Sequence, residues 1–329
     1  MKILIFGTEP GEQDEIRDYL CTHGLEEVDF ADGVLNMDTI PLTRGYEIVW
    51  IITNSLIREK EARALAEAGV RYIVTRSTGI DHLSVKALRE NGICASNVPM
   101  YSTGAVSEHT LLLLLALLRK LKYSMKNTGD GNFTLKNVMG RELSSLTVGI
   151  IGCGKIAIST IRMLSGFQCK ILVSTPHEKE EVRDVVTFTD QDSLLKESDV
   201  ILLHCPLKQD NYHFINADSI SKMKTGALLV NTARGGLVDA EAVLGALKSG
   251  KLSGFGFDVY EKEDDYIRTK DPDYQDDIFW ELCEREDVIY TSHIAFYTDL
   301  AMKALNELTM KNVVSYALKG YSENEITKE

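Results

Sequence analysis

Short apolar runs alternate with longer amphipathic stretches along this chain of 329 residues. Because strands that alternate with helices form βαβ units, the pattern predicts parallel sheets with helices on both faces. The predicted strands cover 2–6, 47–52, 71–75, 147–151, 170–174, 199–204, 227–231 and 288–291. The predicted helices cover 58–68, 108–120, 156–164, 193–197, 240–249 and 299–318. The length of the chain favours two such domains.

Two segments add to this outline. The helix predicted at 108–120 is apolar all round in its middle, so we expect it to be buried, either between domains or at a subunit contact. The segment 264–277 is acidic and rich in Asp and Tyr, which is typical of a surface insertion. Gly69 follows the predicted helix 58–68 directly and is expected to be its C-cap.

Composition excludes several classes of function. A formal net charge of −13 is unfavourable for binding nucleic acid phosphates or an anionic membrane. The longest aliphatic run, 111–118, is far shorter than the roughly 20 residues that span a bilayer, and no signal peptide is expected at the start of the sequence. The six cysteines are scattered, which predicts neither a disulfide framework nor a metal site. We expect a cytoplasmic protein whose cysteines are reduced and mostly buried.

A glycine-rich turn follows the predicted strand 147–151. Gly152, Gly154 and Ala157 form a G-x-G-x-x-(G/A) pattern between that strand and a helix. The first glycine permits a tight turn, the second lets the backbone approach a pyrophosphate, and the small third residue lets the helix pack close to the strand. This spacing alone is weak evidence, but the strand before it and the helix after it favour dinucleotide binding over a generic glycine turn.

One part of the usual dinucleotide pattern is missing. The next strand should end in an Asp or Glu that binds the adenosine ribose, but it ends in Ser174 and Thr175. Hydroxyl groups would not repel a 2′-phosphate, so NADP becomes admissible beside NAD. No arginine takes the place of the carboxylate, and Glu178, Glu180 and Glu181 follow closely. The sequence therefore leaves the choice between NAD and NADP open, with NAD slightly favoured.

Polar side chains follow three separate apolar runs in the second half of the chain. Arg234 lies beside two glycines after the predicted strand 227–231, Asp258, Glu261 and Glu263 follow the run at 255–257, and His293 comes two residues after the predicted strand 288–291. Each residue alone is more often a surface or structural group. Together, at the carboxyl ends of strands in one sheet, they suit a 2-oxo acid: arginine binds its carboxylate, histidine moves a proton, and an acid holds the histidine.

The sequence resembles the D-isomer-specific 2-hydroxyacid dehydrogenases over nearly its whole length, and most closely their D-lactate dehydrogenase branch. The matching segments are Arg76–Asp81, Asn97–Ser102, Val106–Thr110, the glycine turn, His204–Leu207, Asn231–Gly236, Asp258–Glu263 and His293–Tyr297. The paired aromatic residues Phe296 and Tyr297 and the acidic segment before His293 indicate the branch. The resemblance implies that Arg234 binds the carboxylate and polarises the carbonyl, that His293 is the acid/base, and that Glu263 is its partner.

The resemblance also implies the binding residues. The expected substrate-binding residues are Thr78, Gly79, Ile80, Tyr101, Ile52, Phe296 and Tyr297. The expected cofactor-binding residues are Val106, Gly152, Gly154, Lys155, Ile156, Thr175, Cys205, Pro206, Asn211, Thr232, Ala233 and Asp258. The implied fold is α/β, with two doubly wound parallel-sheet domains. A Rossmann-type dinucleotide-binding domain at 100–297 is inserted in a flavodoxin-like substrate domain made of 1–99 and 298–329. The predicted helix 108–120 would lie at the contact of a homodimer.

These expectations favour an oxidoreductase that interconverts a 2-oxo acid and the (R)-2-hydroxy acid with NAD or NADP. Its only expected partners are this small molecule and a second copy of the chain. A dinucleotide-sensing corepressor of the same superfamily is the alternative, because such proteins can keep the same three residues. An L-specific dehydrogenase is disfavoured because its glycine turn would lie near the N-terminus. Pyruvate, branched-chain and aryl oxo acids all remain open as substrates.

Overall fold

A computed structural model describes residues 1–263 and 274–328 of the chain. Its strands are β1 (Ile3–Phe6), β2 (Val28–Ala31), β3 (Ile48–Ile51), β4 (Tyr72–Thr75), β5 (Cys94–Ser96), β6 (Thr147–Ile151), β7 (Lys170–Ser174), β8 (Thr187–Phe188), β9 (Val200–Leu203), β10 (Ala227–Asn231), β11 (Leu252–Phe257) and β12 (Val288–Tyr290). Its α-helices are α1 (Pro10–Thr22), α2 (Glu59–Ala68), α3 (Val85–Glu90), α4 (Gly104–Leu118), α5 (Leu121–Gly129), α6 (Lys155–Ser165), α7 (Gln191–Glu197), α8 (Ala217–Lys222), α9 (Ala240–Lys248), α10 (Asp277–Glu284) and α11 (Asp299–Lys319). The chain divides into two compact units, one made of Met1–Ser102 and Thr298–Glu329 and the other of Thr103–Tyr297.

The first unit contains a five-stranded parallel sheet in the order β2-β1-β3-β4-β5, which is the flavodoxin-like order. Apolar side chains of α2 and α3 pack on one face of this sheet, and those of α1 and α11 pack on the other. The unit is therefore doubly wound, and its last helix comes from the far end of the chain.

Hydrogen bonds of Arg76 join that last helix to the rest of the first unit. The guanidinium of Arg76, just after β4, donates to the carboxylate of Glu12 on α1 at 3.0 Å and to the side-chain oxygen of Asn306 on α11 at 3.1 Å. It also donates to the carbonyl oxygen of Gly7 at 2.9 Å. Because these partners satisfy the planar fork on several sides, the charge is tolerated with a side chain that is only 10% exposed.

The second unit contains a seven-stranded parallel sheet in the order β12-β11-β10-β9-β6-β7-β8. Helices α4 and α6 pack on one face, and α7, α8, α9 and α10 pack on the other. The chain order reverses between β6 and β9, which are hydrogen-bonded neighbours. In an open α/β sheet, ligands bind outside the carboxyl ends of the strands at such a reversal.

The predicted fold class is confirmed, since both sheets are parallel and covered on both faces. The eight strands predicted from apolar runs all form, three of them with the predicted bounds. Gly69 caps α2 with a left-handed φ of 96°, as expected. The short strands β2, β5 and β8 were not predicted, because two to four residues carry little periodicity.

Three expectations need correction. Helix α4 runs over 104–118 and not over 108–120, because the small residues at its start are helical and Lys120 takes a left-handed φ of 50° after its end. The division between the units therefore falls at residue 102, just before α4, and not at residue 99. The cysteines are not mostly buried, since only Cys153 is buried and Cys21 is exposed. Most of the acidic segment expected at 264–277 lies outside the described residues.

Candidate active site

The glycine turn after β6 has the geometry that a dinucleotide requires. Gly152 has a φ of 97°, and a Cβ there would lie 2.7 Å from the carbonyl oxygen of His204, so a side chain is excluded. A Cβ on Gly154, the N-cap of α6, would meet nothing within 4 Å. Ala157 is fully buried against the sheet. The turn therefore leaves open space at the N-terminus of α6, where N–H groups and the helix dipole favour a pyrophosphate.

The other expected cofactor-binding residues of this unit also lie at the carboxyl end of the sheet or on α4. Thr175 follows β7, Cys205 and Pro206 follow β9, and Thr232 and Ala233 follow β10. Asn211 holds the loop after β9, because its side chain accepts from the N–H of Lys208 at 2.7 Å and donates to the carbonyl of Pro206 at 2.9 Å. The residues that could hold a dinucleotide thus surround the point where the strand order reverses.

The three candidate catalytic residues follow three neighbouring strands. Arg234 follows β10, Glu263 lies in the loop after β11, and His293 follows β12. The Nδ1 atom of His293 lies 2.7 Å from the Oε1 atom of Glu263. The other carboxylate oxygen of Glu263 accepts the backbone N–H of Tyr260 at 2.8 Å. An ionised carboxylate can only accept, so Nδ1 of His293 carries a proton and Nε2 is left for a ligand.

The loop of Arg234 is fixed from both sides. The side chain of Asn231, which is fully buried, accepts from the N–H of Ala233 at 3.0 Å and donates to the carbonyl of Arg234 at 2.9 Å. A Cβ on Gly235 would lie 2.1 Å from the carbonyl carbon of Tyr260. The backbone after β10 therefore touches the backbone of the loop that carries Glu263, and this contact requires glycine.

The carboxylate of Asp258 is directed at the histidine turn. Its Oδ1 atom accepts from the hydroxyl of Thr291 at 2.5 Å and from the N–H of Ile294 at 3.0 Å, while Oδ2 accepts from the N–H of Ala295 at 2.9 Å. The residue is only 1% exposed. Burial raises the pKa of Asp258, and these donors oppose the rise. Its side chain is thus engaged within the chain, and the cofactor contact expected of Asp258 stays a prediction.

His293 itself has an unusual backbone. Its φ is 54°, in the left-handed region that a non-glycine residue adopts at a cost of about 1–2 kcal/mol. The N–H of His293 donates to the carbonyl of Asp258 at 2.7 Å. Because strained backbone persists only where its surroundings enforce it, the bonds from Asp258 to the turn are what aim the imidazole at Glu263.

Two histidines near these loops were missed in the sequence. His109 on α4 lies 2.9 Å from the hydroxyl of Thr291 through its Nε2 atom, and the motif at 106–110 was the available signal. His213 lies 2.8 Å from the carboxylate of Glu261, which also accepts the hydroxyl of Tyr212 at 2.9 Å. The contact between His213 and Glu261 joins the loops after β9 and β11, and no spacing pattern in the sequence predicts it.

The first unit carries the other expected substrate-binding residues. The turn at 78–80 is held by three bonds: Thr78 donates to the carbonyl of Val98 at 2.7 Å, Asn97 donates to the carbonyl of Thr78 at 2.8 Å, and Ser77 donates to the carbonyl of Gly79 at 2.7 Å. The carbonyl of Ile80 accepts from the N–H of Leu83 at 2.9 Å, so the end of the turn is bonded as well.

Tyr101, at the end of the same unit, is half-buried. Ile52 is also half-buried, and it covers Gly7, where a Cβ would lie 2.6 Å from the Ile52 side chain.

The aromatic pair after the histidine lies in the second unit. The ring of Phe296 is 6.1 Å from that of His293 and nearly perpendicular to it, and the ring of Tyr297 is 5.9 Å from that of Phe296. Phe296 is half-buried, whereas Tyr297 is 62% exposed. An apolar surface therefore lies beside the imidazole.

Neither a metal-binding cluster nor a membrane-spanning helix is found among residues 1–263 and 274–328. No group of three or more His, Cys, Asp or Glu side chains in these ranges is placed to hold a metal ion. No helix in the same ranges combines the length and apolar character needed to cross a membrane.

Comparison with known proteins places the chain in a family. Residues 111–295 match the family model described as the D-isomer specific 2-hydroxyacid dehydrogenase, NAD binding domain. The chain is 35% identical over 328 residues to an aromatic 2-oxoacid reductase of Clostridium sporogenes, covering 99% of both chains. The chain belongs to the D-isomer specific 2-hydroxyacid dehydrogenases. It is accordingly an NAD-dependent oxidoreductase, and the predicted class of enzyme is confirmed.

Solved structures agree with this assignment. The apo-structure of D-lactate dehydrogenase from Escherichia coli superposes with a TM-score of 0.86 at 33% identity, covering 99% of this chain and 100% of that one. The NAD complexed form of the enzyme of this family from Lactobacillus delbrueckii ssp. bulgaricus superposes with a TM-score of 0.83 at 28% identity, covering 99% and 100%. The predicted family and its D-lactate dehydrogenase branch are therefore confirmed.

Proposed function

We propose that this dehydrogenase reduces a 2-oxo acid to the (R)-2-hydroxy acid, with Arg234, His293 and Glu263 as its catalytic residues. The observation that carries the assignment of residues is the 2.7 Å contact between the imidazole of His293 and the carboxylate of Glu263, at the carboxyl ends of neighbouring strands. When NADH is bound, it supplies the hydride that reduces C2 of the substrate.

The protein's part is to bind the oxo acid and to move one proton. Arg234 binds the substrate carboxylate through its planar fork and polarises the carbonyl at C2. His293 enters reduction as the imidazolium, and its Nε2 atom donates a proton to the oxygen at C2. Nδ1 keeps its proton throughout and donates a hydrogen bond to the carboxylate of Glu263. The ring therefore stays in one orientation, and its charged form is stabilised. In the oxidation of the hydroxy acid, Nε2 accepts the proton instead.

Backbone groups of the first unit are proposed to bind the same carboxylate. The N–H groups of Thr78, Gly79 and Ile80 belong to a turn whose carbonyl and hydroxyl groups are already bonded within the chain. A turn fixed in this way is pre-organised to bind an anion, because little ordering is left to occur on binding. Tyr101 is proposed to contact the substrate as well.

NADH is proposed as the preferred cofactor. Thr175 at the end of β7 offers a hydroxyl to the adenosine ribose, but the nearby residues are unfavourable for a 2′-phosphate. The guanidinium of Arg183 is already paired at 2.9 Å with both Glu178 and Glu180. Burial raises the pKa of the Cys153 thiol in the glycine turn, while Lys179 lowers it and Glu181 raises it, so charges of both signs lie near the turn. Like charges near a phosphate reduce its affinity.

An apolar or aromatic side chain is proposed for the substrate. Ile52, Phe296 and Tyr297 offer apolar surface, and the ring of Phe296 lies beside His293. The Clostridium sporogenes relative is named for aromatic 2-oxo acids, and the Escherichia coli structure is that of a D-lactate dehydrogenase. We therefore expect bulky oxo acids to be reduced more efficiently than pyruvate.

The test is a panel of pyruvate, 4-methyl-2-oxopentanoate and phenylpyruvate, each assayed with NADH and with NADPH. We expect the highest kcat/KM for a bulky acid with NADH, and an (R)-2-hydroxy acid as the product by chiral chromatography. His293→Ala serves as the matched control, and it should nearly abolish reduction while NADH still binds. A fully active alanine variant, or an inactive wild-type enzyme with every acid, would contradict the proposal.

A homodimer is also proposed. Large apolar side chains follow one another at the protein surface from α5 onward, including Met125, Phe133, Leu135 and Met139, which are 65–87% exposed. Met139 also lines a cavity of about 980 Å³, together with Leu117 and Leu121. A second copy of the chain would cover these exposed apolar side chains.

A further inference from the structure

The first turns of α4 contact three functional loops through three side chains. The hydroxyl of Ser107 donates to the carbonyl of Ile156 at 3.1 Å, next to the glycine turn. The hydroxyl of Thr110 lies 2.7 Å from that of Thr232, in the loop of Arg234. The Nε2 atom of His109 lies 2.9 Å from the hydroxyl of Thr291, in the loop of His293. The last of these contacts lies two residues before His293, the candidate proton donor, and the proposed mechanism gives His109 no role.

The direction of the bonds around Thr291 follows from its single hydroxyl proton. That proton is donated to the carboxylate of Asp258, at 2.5 Å. The oxygen of Thr291 must therefore accept from His109, so Nε2 of His109 carries a hydrogen. The same Nε2 atom lies 3.5 Å from Oδ1 of Asp258, which is the charged group that faces it. Burial lowers the pKa of His109, although Asp258 opposes this, and a neutral ring protonated on Nε2 satisfies the geometry.

The chain of bonds ends on both sides of the catalytic histidine. Thr291 comes two residues before His293, and Ile294 and Ala295 come directly after it. The hydroxyl of Thr291 and the N–H groups of Ile294 and Ala295 all donate to the carboxylate of Asp258. His293 has the left-handed φ of 54°, so a small rotation of this turn would move its ring away from Glu263. His109 thus supports the turn from a helix that the substrate need not touch.

We propose that His109 is a positioning residue for His293, which acts by donating to Thr291 so that the turn at 291–295 stays locked on Asp258. This inference rests on the proposed function of His293 as the proton donor. Loss of the donor would leave the oxygen of Thr291 with one partner fewer, and a buried group without its partner favours rearrangement.

The experiment compares His109→Leu, His109→Gln, Thr291→Val and Thr291→Ser with the wild-type enzyme. We expect His109→Leu to lower kcat about 10- to 100-fold, which is typical of a displaced catalytic group, while the Kd for NADH stays within about twofold. The pH at which reduction is half lost should move lower, because Glu263 would stabilise the imidazolium of a displaced His293 less well. Glutamine can place an amide donor near the position of Nε2, so His109→Gln should recover most of the activity.

Coupling between the two residues provides the sharper test. Because His109 acts through Thr291, the double variant His109→Leu/Thr291→Val should be no slower than Thr291→Val alone, whereas Thr291→Ser should behave like the wild type. Thr309→Val is the matched control, since it removes a buried threonine hydroxyl from α11 that bonds only to its own helix, to the carbonyl of Leu305 at 2.6 Å. It should lower thermal stability without changing the pH profile.

Each unfavourable result has a distinct meaning. If the wild-type enzyme is active and His109→Leu has the same kcat and pH profile, only the positioning role is overturned. Independent, multiplicative effects of the two substitutions in the double variant would overturn it as well. A wild-type enzyme that reduces no 2-oxo acid would contradict the proposed function itself. If thermal melting shows that His109→Leu is unfolded, His109→Gln and Thr291→Ser test the positioning role instead. A loss of activity in these folded variants equal to that of Thr291→Val would refute rescue by a hydrogen-bond donor.

Discussion

At the scale of single residues, the segment 258–263, directly after β11, carries three carboxylates with three different partners. Asp258 accepts from the backbone and hydroxyl groups of the histidine turn, Glu263 accepts from the imidazole of His293, and Glu261 contacts His213. Carboxylates of the same type thus differ in task only through what lies opposite each one. Arg234, in the neighbouring loop, is the positively charged counterpart that an oxo acid needs.

Replacement of Arg234 by lysine tests that counterpart. Lysine keeps the charge but not the planar fork, so at least one charge-assisted hydrogen bond to the substrate is lost, at about 1.5–3 kcal/mol. We expect kcat/KM for the oxo acid to fall roughly 10- to 100-fold, with little change in the Kd for NADH. Arg141→Lys, which alters a pair with Asp199 at 3.4 Å, is the control and should leave the kinetics unchanged. Normal kinetics in Arg234→Lys would remove arginine from the mechanism.

At the scale of secondary-structure elements, the loops after β10 and β11 are in backbone contact. A Cβ on Gly235 would lie 2.2 Å from the backbone nitrogen of Glu261, a distance that real Cβ atoms do not show. The contact sets the spacing between the loop of Arg234 and the loop of Glu263. A side chain at position 235 would therefore displace one loop from the other.

A substitution of Gly235 by alanine would separate these loops. We expect activity to fall about 100-fold, because displacement by about 1 Å at catalytic groups has effects of this size, while the unit remains folded. Gly245→Ala is the matched control: it lies within α9, its Cβ would meet nothing within 4 Å, and it should stabilise the protein by about 1 kcal/mol. Full activity in Gly235→Ala would show that the contact does not position the catalytic residues.

At the scale of the whole molecule, the C-terminal helix α11 completes the unit that contains the N-terminal sheet. Helix α11 packs on the sheet formed by β1 to β5, and Arg76 joins it to α1. The second unit is continuous in sequence, but it exposes the apolar segment that begins in α5. The first unit thus satisfies its apolar faces within the chain, whereas the second presents a surface suited to another copy.

Sedimentation velocity tests this assembly. We expect a mass near twice the 36.7 kDa of one chain, because a stable homodimer would bury this apolar segment. Phe133→Glu combined with Leu135→Glu should shift the protein towards the monomer, since each buried charge is costly. Leu318→Glu, at an equally apolar but separate exposed position on α11, should remain dimeric. A wild-type protein that sediments as a monomer would refute the dimer.

Much of the fold could be predicted because the relevant signals are local. A strand buried on both faces needs a continuous apolar run, and the glycine turn needs small residues at fixed positions, so both are readable from neighbouring residues. Helices α1, α3, α5, α8 and α10 were not predicted, because short or weakly amphipathic helices depend on the surface that they pack against. The bounds of α4 depended on backbone conformation at both ends, which composition does not reveal.

The sequence alone determined the strand–glycine–helix pattern, the parallel α/β fold and the set of polar residues that end its strands, because each is encoded within a few adjacent positions. Only the tertiary structure decided how those residues are paired. The contact between Glu263 and His293, the engagement of Asp258 by the histidine turn and the approach of His109 from α4 join residues that are 30 to 182 positions apart. Strand order and packing determine such contacts, and neither can be inferred from the spacing of residues along the chain.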